Sequence, residues 1–146
     1  MIKRSSKTFI DNLLKENPNW KVLDIGCGYT AHHNASVICD VQDLSNFYKD
    51  KKFIRLNEKT LPFKDKEWEW LSAWDVLEHL RPEQIDNGLK EMARVSKYFA
   101  FTINRFPTVT RKPHLDYQLH QTLWSLEKWK EHIERLGKIN SITTNS

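Results

Sequence analysis

The stretch Val22-Leu23-Asp24-Ile25-Gly26-Cys27-Gly28-Tyr29-Thr30 constrains this chain more than any other. An apolar pair leads into an acid, another apolar residue and then Gly-x-Gly. That is the pattern of a buried strand ending in a tight turn. Glycine there admits positive φ and lets a ligand approach the backbone. The turn's N–H groups are expected to face that ligand. Asp24 adds a fixed negative charge beside the turn, which suits a cofactor with a cationic end better than a pyrophosphate. An ordinary strand-to-helix turn carries the same Gly-x-Gly, so the rest of the chain has to discriminate.

The chain has 146 residues, enough for one domain with a real core, and we expect a single domain over residues 1–146. An apolar content of 39% with 12% aromatics excludes a disordered polar chain. The net charge of +4 is spread along the sequence, which permits an anionic substrate or nucleic acid and demands neither. No apolar run reaches the roughly 18 residues of a membrane span, and the N-terminus lacks the apolar core of a secretion signal. Cys27 and Cys39, the only cysteines, have neither metal spacing nor a disulfide framework. A cytoplasmic protein with both thiols reduced is the expectation.

Taken in order, Phe9, Ile10, Leu13 and Leu14 make one helical face, with Ser5 or Ser6 as its cap and Asn17-Pro18-Asn19 as its end. Strands are expected over residues 21–25, 35–39, 53–56, 68–73 and 98–103, with at most a turn or two of helix between the first pair. Leu44, Phe47 and Tyr48 at helical spacing predict a helix within 41–52, ended by the mixed charges of Lys49-Asp50-Lys51-Lys52. Pro82 suits a first helical turn, and Ile85, Leu89, Met92 and Val95 form the stripe behind it. Ser125 caps a last helix over 126–136, with Gly137 at its end and one further strand at 138–144. Strands alternating with helices imply an α/β three-layer sandwich, a mostly parallel, doubly wound, Rossmann-like sheet, truncated after the last helix. Its ligand site belongs at the carboxyl edge of the strands.

Four segments in this order resemble class I S-adenosylmethionine-dependent methyltransferases of the small single-domain type. Val-Leu-Asp-Ile-Gly-Cys-Gly at 22–28 resembles the family's first motif, and Asp40 ends strand two as an acid does there. Asn57-Glu58-Lys59-Thr60-Leu61-Pro62-Phe63 resembles its "D-a-x-x-L-P-F" turn. Residues 68–80, ending in Asp75-Val76-Leu77-Glu78-His79-Leu80, resemble its "D-V-L-E-H" segment. The two histidines His114 and His120 before Ser125-Leu126-Glu127-Lys128-Trp129 are similar to a substrate-side segment of some members. The sequence departs from the pattern at Asn57, where an acid is usual, and at Ser96-Lys97-Tyr98, where Gly-Gly is usual. The family's sheet has two further strands, and this chain has residues for one, which leaves an edge for a homodimer.

The resemblance implies S-adenosylmethionine as cofactor and methyl transfer to a small-molecule acceptor; neither a membrane nor nucleic acid is expected as partner. It implies cofactor contacts from Asp24, Gly26, Cys27, Gly28, Asp40, Asn57, Glu58 and the Trp74 carbonyl. A base for an oxygen nucleophile is sought among His79 and His114. Asp75, Asn104, Arg111, Tyr117 and His120 are the expected acceptor-side residues, the last three on the 108–124 connection, read as a lid. On a helical turn Asp75, Glu78 and His79 share a face, and with His114 or His120 they would make an oxygen/nitrogen metal site. The same string occurs in members without metal, so no metal is expected. Two other readings remain: a catalytically silent cofactor- or partner-binding module, and the dinucleotide fingerprint G-x-G-x-x-A at Gly26, Gly28 and Ala31.

Overall fold

The computed structural model describes residues 2–29, 31, 34–57, 60–107 and 120–137. Five strands, β1 (Val22–Ile25), β2 (Val37–Asp40), β3 (Phe53–Arg55), β4 (Trp68–Trp74) and β5 (Ser96–Thr102), form one sheet in the order β3-β2-β1-β4-β5. Every pairing is parallel, with Leu23 opposite both Val37 and Leu71. Among the described residues three α-helices accompany it: α1 (Ile2–Glu16), α2 (Ile85–Val95) and α3 (Leu126–Glu134). This is the doubly wound, Rossmann-like α/β architecture expected from the alternation of elements.

β1 and β2 are buried at every residue, as central parallel strands are. Period-two alternation sends Leu23, Ile25, Val37, Cys39, Leu71 and Ala73 to one face. There they pack with Ile85, Leu89, Met92 and Val95 of α2 and Trp129 and Ile133 of α3. Each such fully buried aliphatic or aromatic side chain contributes on the order of 1.5–3 kcal/mol. On the other face Ile38 packs with Cys27 and Leu44, and Trp20 stacks near Trp70 and Tyr98. The strand order reverses at β1. The crevice for a ligand therefore lies outside the carboxyl ends of β1 and β4.

Several local expectations are corrected. α1 is already under way at Ile2, so Ser5 and Ser6 lie inside it and do not cap it. Residues 41–52 form no helix; Phe47 and Tyr48 donate to the Leu44 carbonyl in a single turn. The Tyr48 hydroxyl is held by the glycine turn, and that tertiary contact overrides the helical spacing. The Lys64-Asp65-Lys66-Glu67 turn is anchored to the end of α2. Lys66, at φ +53°, donates its N–H to the Arg94 carbonyl and its ammonium to the Ala93 and Ser96 carbonyls. This puts a cation on the negative end of α2. Ser96 follows α2 with no loop, its hydroxyl donating to the Met92 carbonyl at 2.7 Å. Ser125 caps α3 by accepting the Lys128 N–H, and Gly137 follows at φ +99°. The predicted strand at 138–144 lies outside the described residues. Among the described residues β5 pairs only with β4.

Candidate active site

The glycine turn closes β1 and is tied to the end of β2. Asp40 Oδ2 accepts the Gly28 N–H at 3.0 Å and Oδ1 accepts the Gln42 N–H at 3.0 Å. The Cys27 N–H donates to the Cys39 carbonyl at 3.1 Å. Two N–H groups expected to face a ligand are thus engaged within the protein, by acceptors at the end of β2. Gly26 and Gly28 take φ of +64° and +50°. A Cβ on Gly26 would come 2.6 Å from Val76 Cγ2, whereas one on Gly28 would meet nothing within 4 Å. Gly26 therefore lets the post-β4 segment pack against the turn, and Gly28 borders open space. Tyr48 holds this arrangement: its hydroxyl donates to the Gly28 carbonyl at 2.6 Å and accepts the Ala31 N–H at 3.1 Å.

Asp24 is buried, and its Oδ1 accepts the Ser72 hydroxyl at 2.7 Å across the β1–β4 pair. Burial, with Asp40 and Asp24 nearby, pushes the Cys27 thiol up to about 12, so it is no nucleophile near neutral pH. Asn57 is exposed beyond β3, its side-chain oxygen accepting the Thr60 N–H at 3.2 Å in a local turn. The following Leu61-Pro62-Phe63 loop is fixed from α2. Glu91 accepts the Leu61 N–H, and Arg94 donates to the Leu61 and Phe63 carbonyls and to Asp65.

The other half of the crevice is built where β4 and β5 end. Asp75, at φ +53°, donates its N–H to the Thr102 carbonyl and accepts the Thr102 hydroxyl at 2.9 Å. A 3-10 turn over Leu77–His79 follows. Because this turn starts after Asp75, the expected shared face of Asp75, Glu78 and His79 does not form. Glu78 is fully buried; its Oε1 accepts the Asn104 N–H at 3.0 Å and its main-chain carbonyl accepts the Thr122 N–H. Desolvation, with a smaller contribution from the Asp75 charge, pushes the Glu78 carboxyl up to about 7 against the hydrogen bonds it accepts from the backbone of Asn104 and of Glu78 itself. Thr122 also donates its hydroxyl to the Leu80 carbonyl at 2.6 Å, clipping residues 120–122 onto the turn. That clip brings buried His120 edge-to-face with exposed His79, ring centroids 4.9 Å apart.

The structure thus gathers Asp24, Gly26, Cys27, Gly28 and Asp40 at one end of the crevice and Trp74, Asp75, Glu78, His79, Asn104 and His120 at the carboxyl edge of β4 and β5. Asn57 stands apart, beyond β3. Glu58, Arg111, His114 and Tyr117 lie outside the described residues. The sequence reading missed Tyr48, Ser72, Thr102 and the Glu91–Arg94 pair. Each acts through a partner distant in sequence, and only the register of β4 against β1 and β5 would have paired the second and third.

Solved S-adenosylmethionine-dependent methyltransferases share this fold. One from Archaeoglobus fulgidus superposes with a TM-score of 0.61 at 17% identity, covering 92% of this chain and 70% of that one. A Thermotoga maritima structure described as a "SAM-dependent methyltransferase, possible histamine N-methyltransferase" gives 0.64 at 14% identity, over 91% and 69%. A Pyrococcus horikoshii protein is 22% identical with a TM-score of 0.51, over 69% of this chain and 58% of its own; the chain spans little more than half of that protein. No family model and no curated protein matches the sequence. At these identities the likeness establishes the class I methyltransferase fold.

Proposed function

We propose that this chain binds S-adenosylmethionine across the crevice and transfers its methyl group to a small-molecule acceptor. The observation that carries the reading is the glycine turn, tied to the Asp40 carboxylate and packed through Gly26 on the post-β4 segment. The open space at Gly28 and the carboxylates at the ends of β1 and β2 fit a cofactor with an ammonium and a ribose. Asp40 would hold the ribose hydroxyls, its oxygens having lone pairs beyond those taken by Gly28 and Gln42. Asp24 would set the ammonium end together with the Trp74 carbonyl, and Gly26, Cys27 and Gly28 would line the methionine part. Asn57 and Glu58 would flank the adenine. The cofactor supplies an electrophilic methyl on sulfur, so positioning by these residues contributes much of the rate.

On the acceptor side we assign Asp75, Asn104, His120, Arg111 and Tyr117 to binding, and His79 or His114 to taking a proton from an oxygen acceptor. A cytoplasmic setting and a homodimer through β5 belong to the same proposal; among the described residues no helix is long and apolar enough to cross a membrane. Calorimetry with S-adenosylmethionine and S-adenosylhomocysteine, followed by methyl transfer to a panel of small amines, alcohols and acids, tests it. Binding without transfer to any acceptor would favour the silent module. Light scattering at the monomer mass would remove the dimer.

A further inference from the structure

Glu78 and His79 leave the 3-10 turn as neighbours, and His120 is clipped against them by Thr122. One ligand atom from each of the three side chains lies within 4.8 Å of the other two. Glu78 is completely buried, and its Oε2 has no hydrogen-bond partner among the described residues, while Oε1 is held by the Asn104 N–H. A buried carboxylate oxygen without a donor is costly, and native structures rarely leave one without a reason. His120 Nδ1 lies 2.5 Å from the Phe106 carbonyl. A neutral ring that donates there carries its lone pair on Nε2. This is how metal-binding histidines are oriented: one nitrogen on a backbone carbonyl, the other on the ion. Two of the three side chains are thus held by backbone groups behind them.

We propose that Glu78, His79 and His120 form a site for one divalent first-row transition ion at the acceptor side of the crevice. Two imidazoles and one carboxylate suit zinc, iron(II), cobalt(II) or manganese(II), whereas magnesium and calcium favour oxygen donors. Bonds of about 2.0–2.2 Å bring donors to about 3–3.5 Å from one another. Closing on the ion asks mainly for a new rotamer of His79, the exposed member of the three. Three protein donors leave positions for water or for an oxygen of the acceptor. The inference rests on the methyl-transfer reading and deepens it. As a Lewis acid the ion would make a bound acceptor hydroxyl more acidic, its proton passing to solvent, and would select acceptors with a ligating oxygen. His79 then holds the ion and takes no proton.

The test uses the whole chain, stripped of metal with a chelator and dialysed. Zinc chloride titrated in a calorimeter is expected to bind one ion per chain, and cobalt(II) to give a visible absorption band that zinc displaces. His79→Ala, at an exposed position, and Glu78→Gln should each weaken zinc at least 10-fold, the loss that even outer-shell partners cause. Thermal melting followed by circular dichroism checks that both variants fold. Absence of zinc binding, or an affinity unchanged in His79→Ala, overturns the site. S-adenosylhomocysteine is titrated into the same metal-free protein. Its binding without zinc binding defeats the metal site alone; zinc binding without it defeats the cofactor reading and leaves the metal site standing.

Discussion

Gly26 and Gly28 have similar backbone angles and opposite surroundings, and they separate folding from binding at single positions. Gly26→Ala combines left-handed backbone with a Cβ 2.6 Å from Val76, so it should destabilise the protein by about 2–4 kcal/mol in chemical denaturation. Adding Val76→Ala should recover part of that loss; no recovery would mean the collision is not its source. Gly28→Ala meets open space and carries only the conformational cost of about 1–2 kcal/mol. It should nevertheless lose cofactor affinity, because the new methyl sits where the ligand approaches. Tyr48→Phe removes both hydroxyl contacts to the turn, each contributing about 0.5–1.5 kcal/mol. Its expected signature is weaker S-adenosylhomocysteine binding with the fold intact. Binding as tight as the parent would take Tyr48 out of the site.

At the scale of elements, α2 serves the crevice as well as the core. Its Glu91 and Arg94 fix the Leu61-Pro62-Phe63 loop, and the Arg94 hydrogen bond holds the Glu91 carboxyl below the usual glutamate range. The sign follows from linkage: the folded state binds this proton less readily than the unfolded state. The contribution is therefore fully present above the ordinary glutamate pKa and disappears as pH falls through the depressed one. Arg94→Ala should destabilise the protein at pH 7 and destabilise it less at pH 3. Urea unfolding at both values checks this, and an equal loss at both would contradict it. The elements themselves were largely legible. Val22–Ile25 with its glycines, and the Ile85, Leu89, Met92, Val95 stripe, each fill a period that only one structure satisfies. The 41–52 segment was not legible, since the contact that undoes its helix joins Tyr48 to Gly28, twenty residues away. The Asp75–His79 string was readable as a site but not as a shape. Whether it forms an α-turn or a 3-10 turn depends on Thr102 and Thr122, which the spacing within the string does not contain.

For the whole molecule, strand order brings the two halves of the crevice together. β1 lies between β2 and β4, so Asp40, the glycine turn and the Asp75–His79 segment meet at one carboxyl edge although they are spread over residues 26–79. The central claim is that this edge holds S-adenosylmethionine, and calorimetry with S-adenosylhomocysteine and NADH on the intact chain tests it most directly. The account predicts one S-adenosylhomocysteine per chain, no NADH binding, and an affinity weakened by about 1.5–3 kcal/mol in Asp40→Ala. No heat with S-adenosylhomocysteine, or binding of NADH in its place, would contradict it.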